Sequence, residues 1–152
     1  METEYTTEWF EIADMDLASA EYLCGMRPQP LEIICYHCQQ SAEKYLKGYL
    51  IHCGIMEPPK THNLDDLCEL CSDFDELFQE IRTACNTLTV YGVQPRYPND
   101  MEVLANDMQR ALCYARQIKE FAPLHDIRQK LDQAVNEETL SEEKKPYTDQ
   151  AE

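Results

Sequence analysis

Residues 31–53 read LEIICYHCQQSAEKYLKGYLIHC, and the fold turns on how this stretch is read. Leu31, Ile34, Cys35, Cys38, Ala42, Tyr45, Leu46, Tyr49 and Cys53 recur at steps of three and four. That spacing is one apolar face of a helix. Twenty-three residues make about six turns, long enough to be the spine of a core. Pro30 suits the first turn, and Gly54 is a natural C-terminal cap.

Working outward, the same period returns on both sides. Trp9, Ile12, Ala13, Leu17, Ala20, Leu23 and Cys24 predict a helix over 7–25, capped by Thr6 or Thr7 and stopped by Gly25 and Pro28. GIMEPPKTH, residues 54–62, is a loop, because two adjacent prolines forbid helix. Asn63 caps a short helix carrying Leu64, Leu67, Cys68, Leu70 and Cys71 inward. Ser72 or Asp73 is expected to open a fourth helix through Phe74, Leu77, Phe78, Ile81, Cys85 and Leu88. Pro95 and Pro98 keep 91–98 out of a helix, and Asn99 or Asp100 restarts one through Leu104, Met108, Ala111, Leu112, Ala115 and Ile118. Pro123 breaks it or begins a last helix with Leu124, Ile127, Leu131 and Val135 inward. No alternating strand pattern occurs. The expected fold is all-α, an antiparallel helical bundle of five to six helices, over residues 1–136. The acidic segment 137–152 is expected to be a disordered tail.

Composition narrows the function. The 152 residues hold 29 acids against 13 Lys plus Arg, a formal net charge of −16. Such a chain repels nucleic acid, so RNA is an unfavoured partner. No run of about 18 apolar residues exists, so no membrane span is expected. The acidic start, METEYTTEWFEIAD, is neither a signal nor a transit peptide, and the expected location is cytoplasmic.

Cys35–Cys38 and Cys68–Cys71 have zinc-ligand spacing. Residues three apart also share a helix face, and both pairs fall on inward faces, so reduced core cysteines are expected and no metal or cofactor. A zinc-stabilised scaffold is the alternative. No HExxH motif and no G-x-S-x-G elbow occurs, and no catalytic residue is assigned. Gln40, Lys44 and Lys47 share one helical stripe beside Glu43. Two lysines there can hold a phosphate or stay solvated with Glu43 as counter-ion. His62, in Lys60-Thr61-His62-Asn63-Leu64, sits where a loop enters a helix and either bonds that loop or joins a site.

CQQSAEKYLKGYL, KTHNLDDLCEL and RYPND, with Asp16-Leu17-Ala18-Ser19-Ala20 before them, stand in the order and approximate spacing of HEPN-domain proteins. Over about residues 8–122 the chain resembles that family. The resemblance implies an antiparallel bundle, often a homodimer, often linked to a minimal nucleotidyltransferase, commonly as a toxin–antitoxin pair. Some members are ribonucleases and carry an arginine, four to six residues, then a histidine. Here Arg27 is ten positions before His37 and Arg116 nine before His125, while Arg82, Arg96 and Arg110 have no histidine within reach. The chain therefore resembles the branch without the ribonuclease motif, proposed to bind nucleotides or a nucleotidyltransferase partner.

YGVQPRYPND, residues 91–100, holds Arg96 between two prolines. Its guanidinium is suited to clamping an anion, or to pairing with a carboxylate such as Glu43 and stapling the loop to the core. The candidate anion-binding residues are Lys44, Lys47, His62, Arg96 and Tyr97. The expected partners are a nucleotide, a minimal nucleotidyltransferase and a second copy of the chain. Dimerisation is expected because Tyr45, Tyr49 and Tyr114 exceed what one small core can cover. An atypical ribonuclease built on Arg96 and His62 is the alternative enzyme reading.

Overall fold

The computed structural model describes residues 2–92 and 102–144. These form six α-helices and, among the described residues, no strand. The helices are α1 (Glu2–Leu23), α2 (Leu31–His52), α3 (Leu64–Phe74), α4 (Arg82–Leu88), α5 (Ala105–Lys119) and α6 (Ala122–Glu143). Two 3₁₀ segments, Glu76–Ile81 and Thr89–Gly92, flank α4. No helix of the described residues is long and apolar enough to cross a membrane.

The α2 stripe is the centre of the core. Ile34, Cys35, Cys38, Ala42, Tyr45, Leu46 and Tyr49 are all buried. Its two ends obey local chemistry: Pro30 precedes the first turn, and Gly54 ends the helix at φ +98°, a region that disfavours side chains with a Cβ. Asn63 caps α3 through its side-chain oxygen, which accepts from the Asp65 and Asp66 amides at 2.9 and 3.2 Å.

α1 lies antiparallel along α2 and shares with it the most extensive helix–helix interface of the fold. Gly48 sets the spacing. A Cβ there would stand 2.8 Å from Cδ1 and Cε1 of Phe10 and 3.1 Å from Cβ of Trp9. Ser41 reinforces the crossing by donating to the Ala13 carbonyl at 2.8 Å. α5 packs on another side of α2, and α6 closes over α1 and α5.

Several boundaries differ from the sequence expectation. α1 begins at Glu2, so Thr6 and Thr7 lie inside it. Thr7 donates to the Thr3 carbonyl instead of capping. The buried face of α1 is Thr6, Phe10, Ala13, Leu17 and Ala20, with Ile12 on the solvent side. The fourth helix does not start at Ser72 or Asp73. Asp75 accepts from the Leu77 amide and opens a 3₁₀ turn, which leaves Phe74 and Leu77 exposed and only Phe78 and Ile81 inside. α5 starts at Ala105, where the Asp107 carboxylate accepts from the Leu104 amide at 2.9 Å. α6 runs past Asn136 to Glu143, and Val135 faces solvent. The tyrosines invoked for dimerisation are not spare surface. Tyr45 and Tyr49 are buried, and Tyr114 packs against the core.

Gly48→Ala tests the α1–α2 crossing. Alanine gains roughly 1 kcal/mol in intrinsic helix propensity. Overpacking against the rigid Phe10 ring should cost about 1–3 kcal/mol. The expected net result is a lower urea midpoint. A midpoint at or above that of the parent chain would show that Phe10 does not limit the approach of the two helices.

Candidate functional site

A second stripe of α2 is polar, yet much of it is out of water. Gln39 is fully buried, Glu43 is 2% exposed and Lys47 is 7% exposed. An unpaired charge at such depth is strongly unfavourable, so the partners decide what this stripe is.

Glu43 is the hub. Its Oε1 lies 2.7 Å from Nδ1 of His62. Its Oε2 lies 3.6 Å from Nζ of Lys47 and 3.9 Å from Nζ of Lys44. Lys44 donates to Oε1 of Gln40 at 2.8 Å and lies 3.8 Å from Asp16 of α1, which meets Nδ1 of His37 at 3.1 Å. Gln40 donates to Gln39 at 2.7 Å, and Gln39 donates to the His62 carbonyl at 3.0 Å. Gly92 closes this end, because a Cβ on it would stand 3.1 Å from Nε2 of Gln39. The chain of contacts ties α1, α2 and the loop before α3 into one polar site.

Two of its members have chemistry to spare. The His62 side chain is 69% exposed although its Nδ1 is held by a buried carboxylate. Lys47 has one ionic partner, at a distance too long for a hydrogen bond. Its three N–H donors make no hydrogen bond among the described residues. The structure thus brings Lys44, Lys47 and His62 together on Glu43. Arg96 and Tyr97 lie outside the described residues, as does the stapling contact between Arg96 and Glu43. Arg96 follows Gly92 by four positions in the sequence.

A second polar group has no counterpart in the sequence reading. Asp14 of α1, Tyr45 of α2 and Arg128 of α6 meet between the helices. Arg128 and the Tyr45 hydroxyl both donate to the Asp14 carboxylate, and Arg128 also donates to the Tyr45 oxygen at 3.2 Å. Its guanidinium carbon stands 5.6 and 5.5 Å from the Phe10 and Tyr45 ring centres. Burial, then the hydrogen bond and charge of Asp14, push the Tyr45 phenol well above its ordinary value. Burial opposes the charge on Arg128. The hydrogen bond to Asp14 and the neighbouring Tyr45 and Asp14 outweigh that and raise it. Every oxygen in the trio is engaged within the fold, which marks it as a structural bolt. Its members are 31 and 83 positions apart from Tyr45, so no local spacing could announce it.

Among the described residues no three His, Cys, Asp or Glu side chains converge as a metal site. Cys35, Cys38, Cys68, Cys71 and Cys85 are buried, and Cys68 donates to the Phe78 carbonyl at 3.2 Å. Burial, followed by the Asp107 and Glu32 charges, pushes the Cys35 thiol up to about 12. Burial likewise raises Cys38 and Cys71.

The family model of the HEPN domain matches residues 6–133. The chain belongs to the HEPN family. Two solved structures share the fold. The crystal structure of TT1696 from Thermus thermophilus superposes at a TM-score of 0.61 with 22% identity, over 82% of this chain and 97% of that one. An archaeal HEPN homologue, ST0689, superposes at 0.57 with 22% identity, over 83% of this chain and 97% of its own. Among curated proteins, none matches the chain. In this HEPN chain the polar stripe lies within the matched residues, on the helix that carries CQQSAEKYLK.

The cysteine environment predicts both reactivity and pH response. A maleimide should label Cys113 first, Cys24 and Cys53 more slowly, and the five buried thiols only on unfolding. A raised thiol value means that the folded state holds protons which the unfolded chain releases. That contribution is intact below the ordinary value of 9.0 and is lost as pH rises toward about 12 for Cys35. The urea midpoint should therefore fall on the alkaline side. A midpoint that rises there would contradict protonated core thiols.

Proposed function

We propose that this chain is a non-catalytic HEPN module whose polar site takes a phosphate group of a nucleotide. The observation that carries the reading is Lys47. Its side chain is largely buried and ion-paired, yet its ammonium donors make no hydrogen bond among the described residues. A phosphate oxygen is an acceptor of the right charge for those donors, and Lys44 is the neighbouring cation on the same stripe. His62 supports the site from the other side. Arg96 and Tyr97 belong to this proposal through the sequence, as a clamp that follows Gly92.

A minimal nucleotidyltransferase, as the other member of a toxin–antitoxin pair, is the proposed protein partner. Family membership and the strong acidity of the chain support it, since such a surface suits a basic partner. A homodimer is proposed on different ground from the tyrosines: Ile12, Met15 and Tyr22 give α1 an uncovered apolar face, with Tyr22 85% exposed. Light scattering at micromolar concentration should show twice the chain mass. A lone 17.7 kDa species would rule the dimer out.

Calorimetric titration with ATP and with GTP tests the site. Lys47→Met keeps the apolar stem and removes the donors. Its affinity should drop by about 1.5–3 kcal/mol, the worth of a charged hydrogen bond. Arg96→Lys should weaken binding as well, because lysine lacks the planar fork. Thermal unfolding of the same variants separates a binding role from a stapling role. Absence of binding by the parent chain would sink the nucleotide reading. RNA cleavage abolished by His62→Ala would replace it with the atypical ribonuclease.

A further inference from the structure

We infer that the groove between the first half of α1 and the second half of α6 docks a cationic amphipathic helix of a partner protein. The groove encloses about 620 Å³. It is independent of the Lys47 site, and two separate observations meet there.

One is apolar. Leu124, Ile127 and Leu131 form the buried stripe of α6. The same helical spacing continues to Ala134 and Val135, which line the groove. Val135 is 53% exposed, so the core stripe of α6 outruns the helices that cover it.

The other is electrostatic. α1 contains seven acids and neither lysine nor arginine. Asp14, Asp16 and Glu21 each meet a cation of another helix. Glu4, Glu8 and Glu11, with Glu138 of α6, line the groove and meet no cation among the described residues. Steps of four and three place the three α1 glutamates along one line of the helix, spanning about 10 Å. Like charges so spaced repel, and a partner carrying cations at a matching spacing relieves that repulsion.

Only one class of occupant answers both observations. A second copy brings the same acidic groove and a net charge of −16. A nucleic acid is repelled. A small polycation satisfies the glutamates but leaves Ala134 and Val135 uncovered. A helix with Lys or Arg on one stripe and Leu or Val on the next meets the rim and the floor together.

The probe is a fluorescent synthetic peptide of about 14 residues, roughly 20 Å as a helix, with leucines and lysines on adjacent helical stripes. Its control is a scrambled peptide of the same composition. Fluorescence anisotropy with the full chain should show the patterned peptide bound about tenfold tighter than the scrambled one. Glu4→Gln, Glu8→Gln and Glu11→Gln together should weaken it a further tenfold or so, and raised salt should do likewise. Val135→Ser and Glu138→Gln, on the other helix, give a second reading if the α1 variant fails to fold. Three results overturn the proposal. The patterned peptide does not bind, the two peptides bind alike, or the groove variants leave binding unchanged. Spermine displacing the peptide as well as an unlabelled copy does would reassign the groove to a small polycation and overturn it also.

Discussion

The approach of α1 to α2 at Gly48 is the constraint on which the rest depends. Phe10 occupies the space where any other residue would place a Cβ. The buried hydroxyl of Ser41 then reaches the Ala13 carbonyl. With the two helices at that distance, one flank of the seam brings Asp16 beside His37 and Lys44, and the other brings Asp14 beside Tyr45. These two polar groups thus both lie beside one close crossing. A larger residue at position 48 would move α1 outward and lengthen contacts on both flanks together.

The bundle could be read from the α2 stripe because helical periodicity is a local property of the chain. The same holds for the Asn63 cap and for Gly54. What could not be read was phase and depth. Trp9 and Ile12 are apolar and lie at helical spacing, yet Thr6 and Phe10 are the residues buried, since the position of α2 sets which line of α1 faces inward. Glu43 and Lys47 look like a solvated pair in sequence. Their burial comes from the packing around them, which no spacing encodes. His62 does stand at the mouth of a helix, as its sequence context suggests, but its contact with Glu43 depends on the path of a loop nineteen residues away in sequence. The 3₁₀ start after Asp75 was hidden for another reason. Phe74 and Leu77 satisfy the helical pattern while remaining outside.

Charge is sorted by place in this chain. Acids of α1 that look toward other helices are each answered by a cation, and those lining the groove at its N-terminal half meet none among the described residues. Self-repulsion in a chain of −16 is therefore concentrated on its outer faces. The Asp14–Arg128 and Asp16–Lys44 pairs, largely out of water, hold α1 against its neighbours, while the exposed Glu21–Arg116 pair contributes little. The outer acids fix nothing within the fold, so any constraint on them comes from what approaches.

The two polar groups differ in how their donors and acceptors are used. At Asp14, Tyr45 and Arg128 the donors and acceptors close on themselves, with two aromatic rings under the guanidinium. Every carboxylate and hydroxyl oxygen of the trio is engaged within the fold, and the low dielectric between helices strengthens each bond. At Glu43 both carboxylate oxygens are met, while the Lys47 ammonium makes no hydrogen bond among the described residues. A buried ion pair is weak evidence for stability, since apolar residues of the same volume commonly serve a core as well or better. A core that needed only stability at position 47 would do better with methionine or leucine. In the polar stripe of α2, Glu43 ties Lys44, Lys47 and the exposed His62 imidazole into one cluster, and the proposal of an anion site rests on the Lys47 donors that make no hydrogen bond among the described residues.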